Sequence, residues 1–260
     1  MELLELEDLT LKRPRLRRRW FGHDLEGEVL IDDLSLVLES GGSLALVGGE
    51  PSGLLALSMA ILKLEAVASG RIIFGGIDLT TVAERSFRLV RRRLQAVFPD
   101  SFVQLTSTMT VAEAFREVLA VWHRSESRDQ WHHRIDSVMI AVGLPEAIRD
   151  LYPVELDAVE RQQVALARAL LTQPELLICH GFTAGLDAVQ QAELLCLVRR
   201  LREEFRLTLL VMTDDLAVAH YLGDDLGVIH RGRLLESGRT DDVIRRPGHE
   251  YTRHLVSCSL

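Results

Sequence analysis

The sequence predicts an α/β fold with a mostly parallel sheet core, an antiparallel β-layer and a helical subdomain. Three observations predict it. Short apolar runs at 44–47 (LALV), 175–180 (ELLICH) and 207–213 (LTLLVMT) suit strands covered on both faces. EVLIDDLSLVLES, 28–40, alternates apolar and polar side chains, as a strand with one wet face does. From about 110 to 172, apolar residues recur at i, i+3 and i+4, the period of an amphipathic helix.

Taken in order, residues 2–11 and 28–38 read as antiparallel strands. A strand, a glycine loop and a helix follow over 43–64. SGRIIFGGIDLT, 69–80, is a hairpin signal with Gly75-Gly76 at its bend. Leu94 to Phe98 is a short strand. VAEAFREVLAVW, RIDSVMIAVGL and ERQQVALARALL are helical, and Asp157 is placed to cap the last of them. The strand at 175–180, a helix over 188–204 and the strand at 207–213 return the chain to α/β. GVIHRGRLLESG, 227–238, is a hairpin around Arg231-Gly232, and 239–257 mixes helix and loop.

The net charge of −8 over 260 residues argues against a general nucleic-acid binder. Cys179, Cys196 and Cys258 are odd in number and far apart. They suggest no disulfide or metal framework and point to a reducing compartment. MELLELEDL is not a secretory leader, and no run reaches the roughly 18 apolar residues of a membrane span. One local exception to the acidity is KRPRLRRRW, Lys12 to Trp20. It reads either as a solvated loop between strands or as a contact for anionic lipid or an acidic partner.

The most informative stretch is LALVGGEPSGLLALSMAIL, 44–62. Strand, glycine loop and helix N-terminus form the arrangement that cradles a nucleotide phosphate. In GxxxxGK[ST] the lysine and the hydroxyl would fall on Leu54 and Leu55. Gly48, Ser52 and Gly53 keep the loop pattern. Pro51 removes one amide donor and locks its own φ. A leucine supplies neither a cation for phosphate nor an oxygen for Mg²⁺.

Over nearly its whole length the chain resembles the nucleotide-binding subunit of ATP-binding cassette (ABC) transporters. RRRLQAVFPDSFVQLTSTMTV (91–111) and RPGHEYTRHLV (246–256) look like the Q-loop region and tail of the dipeptide/oligopeptide/nickel importer ATPases. The resemblance implies a P-loop NTPase-like cassette as one domain over 1–260. Its RecA-like core and β-layer would take about 1–95 and 173–240. The helical subdomain would take about 96–172, and the tail about 241–260. It also assigns roles by position. The Q-loop glutamine falls on Pro99. The L-S-G-G-Q signature falls on Leu156, Asp157, Ala158, Val159 and Glu160. The metal-binding aspartate falls on His180, the general-base glutamate on Gly181 and the switch histidine on Asp214. The adenine-stacking aromatic falls near Arg13 or Pro14. Leu186 and Asp187 keep the end of the D-loop.

Phosphoryl transfer depends on positioning and electrostatic stabilisation, and each lost group in such a site costs on the order of 10²–10³ in rate. With lysine, hydroxyl, metal aspartate, base glutamate and switch histidine all replaced, the expectation is a chain that does not hydrolyse ATP alone. No metal site is expected, since His180 and Asp214 are too few ligands. Mg-ATP is expected only in a heterodimer with an intact cassette. The implied partners are that second ATPase subunit, membrane permease subunits and, indirectly, a solute-binding protein, with no nucleic acid. The implied location is the cytoplasmic face of a bacterial inner membrane, as a peripheral subunit. Three alternatives stay open: a weak but working ATP-hydrolysing subunit, a non-transport scaffold that borrows the fold, and a decayed or deliberately inactivated copy.

Overall fold

A computed structural model describes residues 1–13, 27–49, 52–99 and 105–259. The chain divides into two compact units, Met1–Phe87 with Met212–Leu260, and Arg88–Val211.

In the first unit β1 (Glu2–Lys12), β2 (Val29–Glu39), β4 (Ser69–Phe74) and β5 (Ile77–Asp78) form an antiparallel sheet in the order β2-β1-β4-β5. The alternation in the sequence is the cause. Leu4, Leu6, Leu9 and Leu11 bury one face of β1, and Leu4 stands across from Leu38 on one side and Phe74 on the other. Asp8 interrupts the alternation at φ 48°, and its amide donates to Ser35 Oγ at 2.9 Å. β3 (Ser43–Val47) is wholly buried and runs parallel to β9 (Asp225–His230), which pairs antiparallel with β10 (Arg233–Arg239). α1 (Leu54–Ile61) follows β3. α7 (Leu216–Leu222), α8 (Thr240–Arg245) and α9 (Glu250–Ser259) complete the unit. The tail is fastened by Glu236, whose carboxylate accepts from the amides of Gly248 at 2.7 Å and His249 at 3.0 Å. The Tyr251 ring stacks on His230 at 4.1 Å.

In the second unit β6 (Leu94–Val97) runs parallel to β7 (Leu176–His180), and β8 (Thr208–Thr213) lies next to β7. The unit boundary falls inside β8 and inside α2 (Glu84–Arg93). The helical expectation over 110–172 resolves into α3 (Val111–Trp122), α4 (Arg128–Val142), 3₁₀ turns at Glu146–Asp150 and Pro153–Glu155, and α5 (Ala158–Leu170). α6 (Ala188–Phe205) follows β7. α3, α4, α5 and α6 each open on a reciprocal capping box: Thr110 with Glu113, Ser127 with Gln130, Asp157 with Glu160, and Asp187 with Gln190. Each box satisfies two amides that a helix start leaves without partners.

The expected strands and hairpins at 2–11, 28–38, 69–80, 94–98 and 227–238 are present within a residue or two of their predicted ends. Two helices went unread. α2 buries little more than Phe87 and Val90 and leaves Leu89 74% exposed, so its apolar period is too thin to register. α7 has only seven residues. Of the basic cluster, Lys12 ends β1 and Arg13 pairs with Glu28 at 2.9 Å. The remainder, with Pro14, lies outside the described residues.

Candidate functional site

The predicted site residues fall in both units, and each half is built up within its own unit. In the first, β3 carries the chain into the glycine loop. The Gly48 amide donates to the Thr213 carbonyl at 3.1 Å. A Cβ on Gly48 would meet the Ile229 carbonyl oxygen at 2.4 Å, so only glycine lets β3 leave the sheet beside β9. Gly53 ends the loop at φ 82° and is the N-cap of α1. A Cβ there would meet the Leu30 carbonyl oxygen at 2.2 Å. Both glycines are thus required by backbone packing before any ligand is considered.

The side chains after the turn are not arranged for a phosphate. Leu54 is 4% exposed and sits in the core, while Leu55 is 53% exposed. Ser52 is buried, and its Oγ accepts a long hydrogen bond, 3.5 Å, from the Leu54 amide. No acidic or basic side chain stands in the first turn of α1. Pro51 lies outside the described residues. Asp214, in the same unit, is exposed. Its neighbour Asp215 caps α7, accepting from the amides of Ala217 at 2.7 Å and Val218 at 3.3 Å.

In the second unit the end of β7 brings His180, Gly181, Phe98 and Pro99 together. The rings of Phe98 and His180 lie 5.8 Å apart, tilted. Gly181 has φ 48°, and a Cβ on it would meet Pro99 Cγ at 3.1 Å. A glutamate at 181 would therefore meet both an unfavourable backbone angle and the proline ring. Gln162, buried on α5, donates from Nε2 to the carbonyls of Phe98 at 3.2 Å and Pro99 at 3.0 Å. Sequence reasoning missed Gln162; its spacing to Ala165 and Leu166 on the apolar face of α5 marks it as buried but does not name its partners. β7 is apolar and buried through Cys179, and burial pushes the Cys179 thiol up to about 12, so that cysteine is inert.

The signature segment opens α5. Leu156 is buried; Ala158 and Val159 are half-buried. Asp157 Oδ1 accepts from the Glu160 amide at 2.8 Å, and Glu160 Oε2 accepts from the Asp157 amide at 2.9 Å. These two carboxylates fill the helix start. Leu186 is half-buried, and Asp187 caps α6 through the amides of Val189 and Gln190, each at 2.9 Å. Among the described residues no cluster of three or more His, Cys, Asp or Glu side chains could hold a metal ion. Among them, too, no helix is long and apolar enough to cross a membrane.

The family model described as ABC transporter matches residues 31–183. The chain is 31% identical over 256 residues to the oligopeptide transport ATP-binding protein OppF of Escherichia coli, covering 98% of this chain and 77% of that protein. It is 32% identical over 228 residues to a putative peptide import ATP-binding protein of Brucella ovis, covering 88% and 72%. Among solved structures, cbiO1 from Clostridium perfringens, part of the ABC transporter complex cbiONQ, aligns with a TM-score of 0.79 at 22% identity over 100% of this chain and 99% of that one. The bacterial ABC transporter cassette MJ0796, solved as a dimer, aligns at 0.78 and 20% identity over 92% and 99%.

Proposed function

Because the chain belongs to the ABC transporter family and has its cassette fold, we propose that it is the cassette subunit of a peptide importer that does not hydrolyse ATP itself. It pairs head-to-tail with an intact cassette and docks on membrane permease subunits at the cytoplasmic face of the membrane. The observation that carries this reading is the pair of leucines at the start of α1, one buried and one exposed. Neither replaces the cation or the hydroxyl that phosphoryl transfer needs. His180 and Gly181 at the end of β7 supply no carboxylate.

The choice of a peptide as solute, rather than nickel, rests on the names of the E. coli and Brucella relatives. The experiment is copurification with the neighbouring permease and cassette subunits, followed by ATPase assay of the complex. Turnover that survives inactivation of the partner cassette would overturn the reading. The retained turn at Gly48 and Gly53 favours a second reading, weak phosphate binding at the start of α1 without hydrolysis. Its mark would be ATP affinity that does not respond to Mg²⁺.

A further inference from the structure

We propose that His123 is a buried, doubly protonated imidazolium that pins the end of α3 to the end of α5, and that losing one proton releases the pin. His123 is 4% exposed. Its Nδ1 lies 2.8 Å from Glu126 Oε1 and its Nε2 lies 3.1 Å from the Leu171 carbonyl oxygen. Both partners only accept. A neutral imidazole has one N–H, and the imidazolium has two. The two contacts are therefore both hydrogen bonds only when the ring carries both protons.

The surroundings decide which bond fails. Glu126 is held by Arg134, with Nε donating to Oε2 at 2.6 Å and Nη2 to Oε1 at 2.8 Å. Trp131 Nε1, also on α4, donates to the His123 carbonyl at 3.0 Å. On α3 and α5 Glu117 pairs with Arg168 at 3.4 Å, and Arg124, next to His123, donates from Nε to the Ala120 carbonyl at 2.9 Å. From α2, Arg92 Nε donates to the Thr172 carbonyl at 3.1 Å. Glu126 remains ionised beside Arg134 and keeps the ring proton on Nδ1, because a charge-assisted bond is the stronger of the two. Deprotonation then leaves a bare Nε2 lone pair facing the Leu171 carbonyl in a buried site, which is unfavourable. Trp122 and Thr172, next in sequence to His123 and Leu171, line one cleft. The pin thus joins two walls of that cleft. It is closed at low pH and opens as pH rises through the titration of the ring.

The test is ring and amide ¹⁵N NMR on the full chain from about pH 5 to about pH 9, a range that brackets ordinary histidine titration. The expected result is a ring protonated on both nitrogens at the low end. Its Nε2 proton is lost as pH rises, and the Thr172 amide shifts at the same midpoint. A ring with constant protonation across the range, or a titration that leaves Thr172 unmoved, would overturn the proposal. Glu126→Gln keeps an acceptor and removes the charge, so it should move the midpoint to lower pH. An unmoved midpoint would also overturn it. His123→Gln should abolish the transition at Thr172, and a transition that persists in it would contradict the assignment to this ring.

Discussion

The starts of α1 and α5 are both helix N-termini, and in the proposed reading both sit where the family's chemistry would meet a phosphate. They differ in what became of their amides. At α1 the described glycines are required by packing: a Cβ on Gly48 or Gly53 would meet a carbonyl oxygen at 2.4 or 2.2 Å, and no side chain caps the helix. What is missing there is charge. At α5 the charge is present but has the wrong sign, and Asp157 and Glu160 spend it on each other's amides. In the proposed reading one terminus keeps the glycines and lacks the cation. The other closed its cradle with its own carboxylates. Fold requirements account for both, since backbone contacts leave no room for a Cβ at Gly48 or Gly53 and a capping box is stabilising without any ligand.

The comparison can be broken at either end. The largest effect is catalytic. Leu54→Lys with Leu55→Ser should leave turnover at background, because His180 and Gly181 still supply no carboxylate; a steady-state ATPase assay reads this. Measurable hydrolysis would mean that the missing carboxylates lie elsewhere. In a complex with an intact partner cassette, changing 157–160 to Ser-Gly-Gly-Gln should raise the ATPase rate by up to about 10²-fold, the worth of a restored set of donors. An unchanged rate would mean that this helix start does not face the partner's nucleotide.

Smaller effects are thermodynamic and are read by denaturant unfolding. Gly53→Ala should cost about 2 kcal/mol or more, from a positive φ and a carbonyl contact that a Cβ cannot make. Asp157→Ala should cost about 1 kcal/mol, the usual worth of an N-cap. Leu55→Ser should stay within about 0.5 kcal/mol, since the side chain is exposed.

An acid titration adds a control away from both termini. Arg134, helped by His123, holds the Glu126 carboxyl down from 4.5 to about 2. A depressed carboxyl stabilises the fold above its unfolded value, so this contribution is full above about 4.5 and is lost as pH falls towards about 2. Glu126→Gln should remove that part of the acid sensitivity.

The fold was largely legible because its strands are either continuous apolar runs, as at 44–47 and 207–213, or alternations, as in β2 and in β1 on either side of Asp8. The helices of the second unit were legible by period. α2 was not, because its arginines outnumber its buried residues and Leu89 faces solvent. At the site, the proposed replacement of lysine, hydroxyl and carboxylates rests on residue identity alone. The roles of what replaced them could not. Asp157 as a cap is a local signal and was read. The reply from Glu160 is equally local, three residues on from the cap, and went unread. Gln162 holding the Phe98 and Pro99 carbonyls, and Pro99 standing against Gly181, join residues far apart in sequence, and no periodicity announces such contacts.

The most direct measurement is calorimetric titration of Mg-ATP into this chain alone, and into its mixture with the neighbouring intact cassette. A subunit with a cradle but no cation should give no heat of nucleotide binding alone, and binding in the mixture that follows the partner's concentration. Tight Mg-dependent binding by the isolated chain would contradict the reading, because it would require a phosphate site that Leu54 and Leu55 cannot provide.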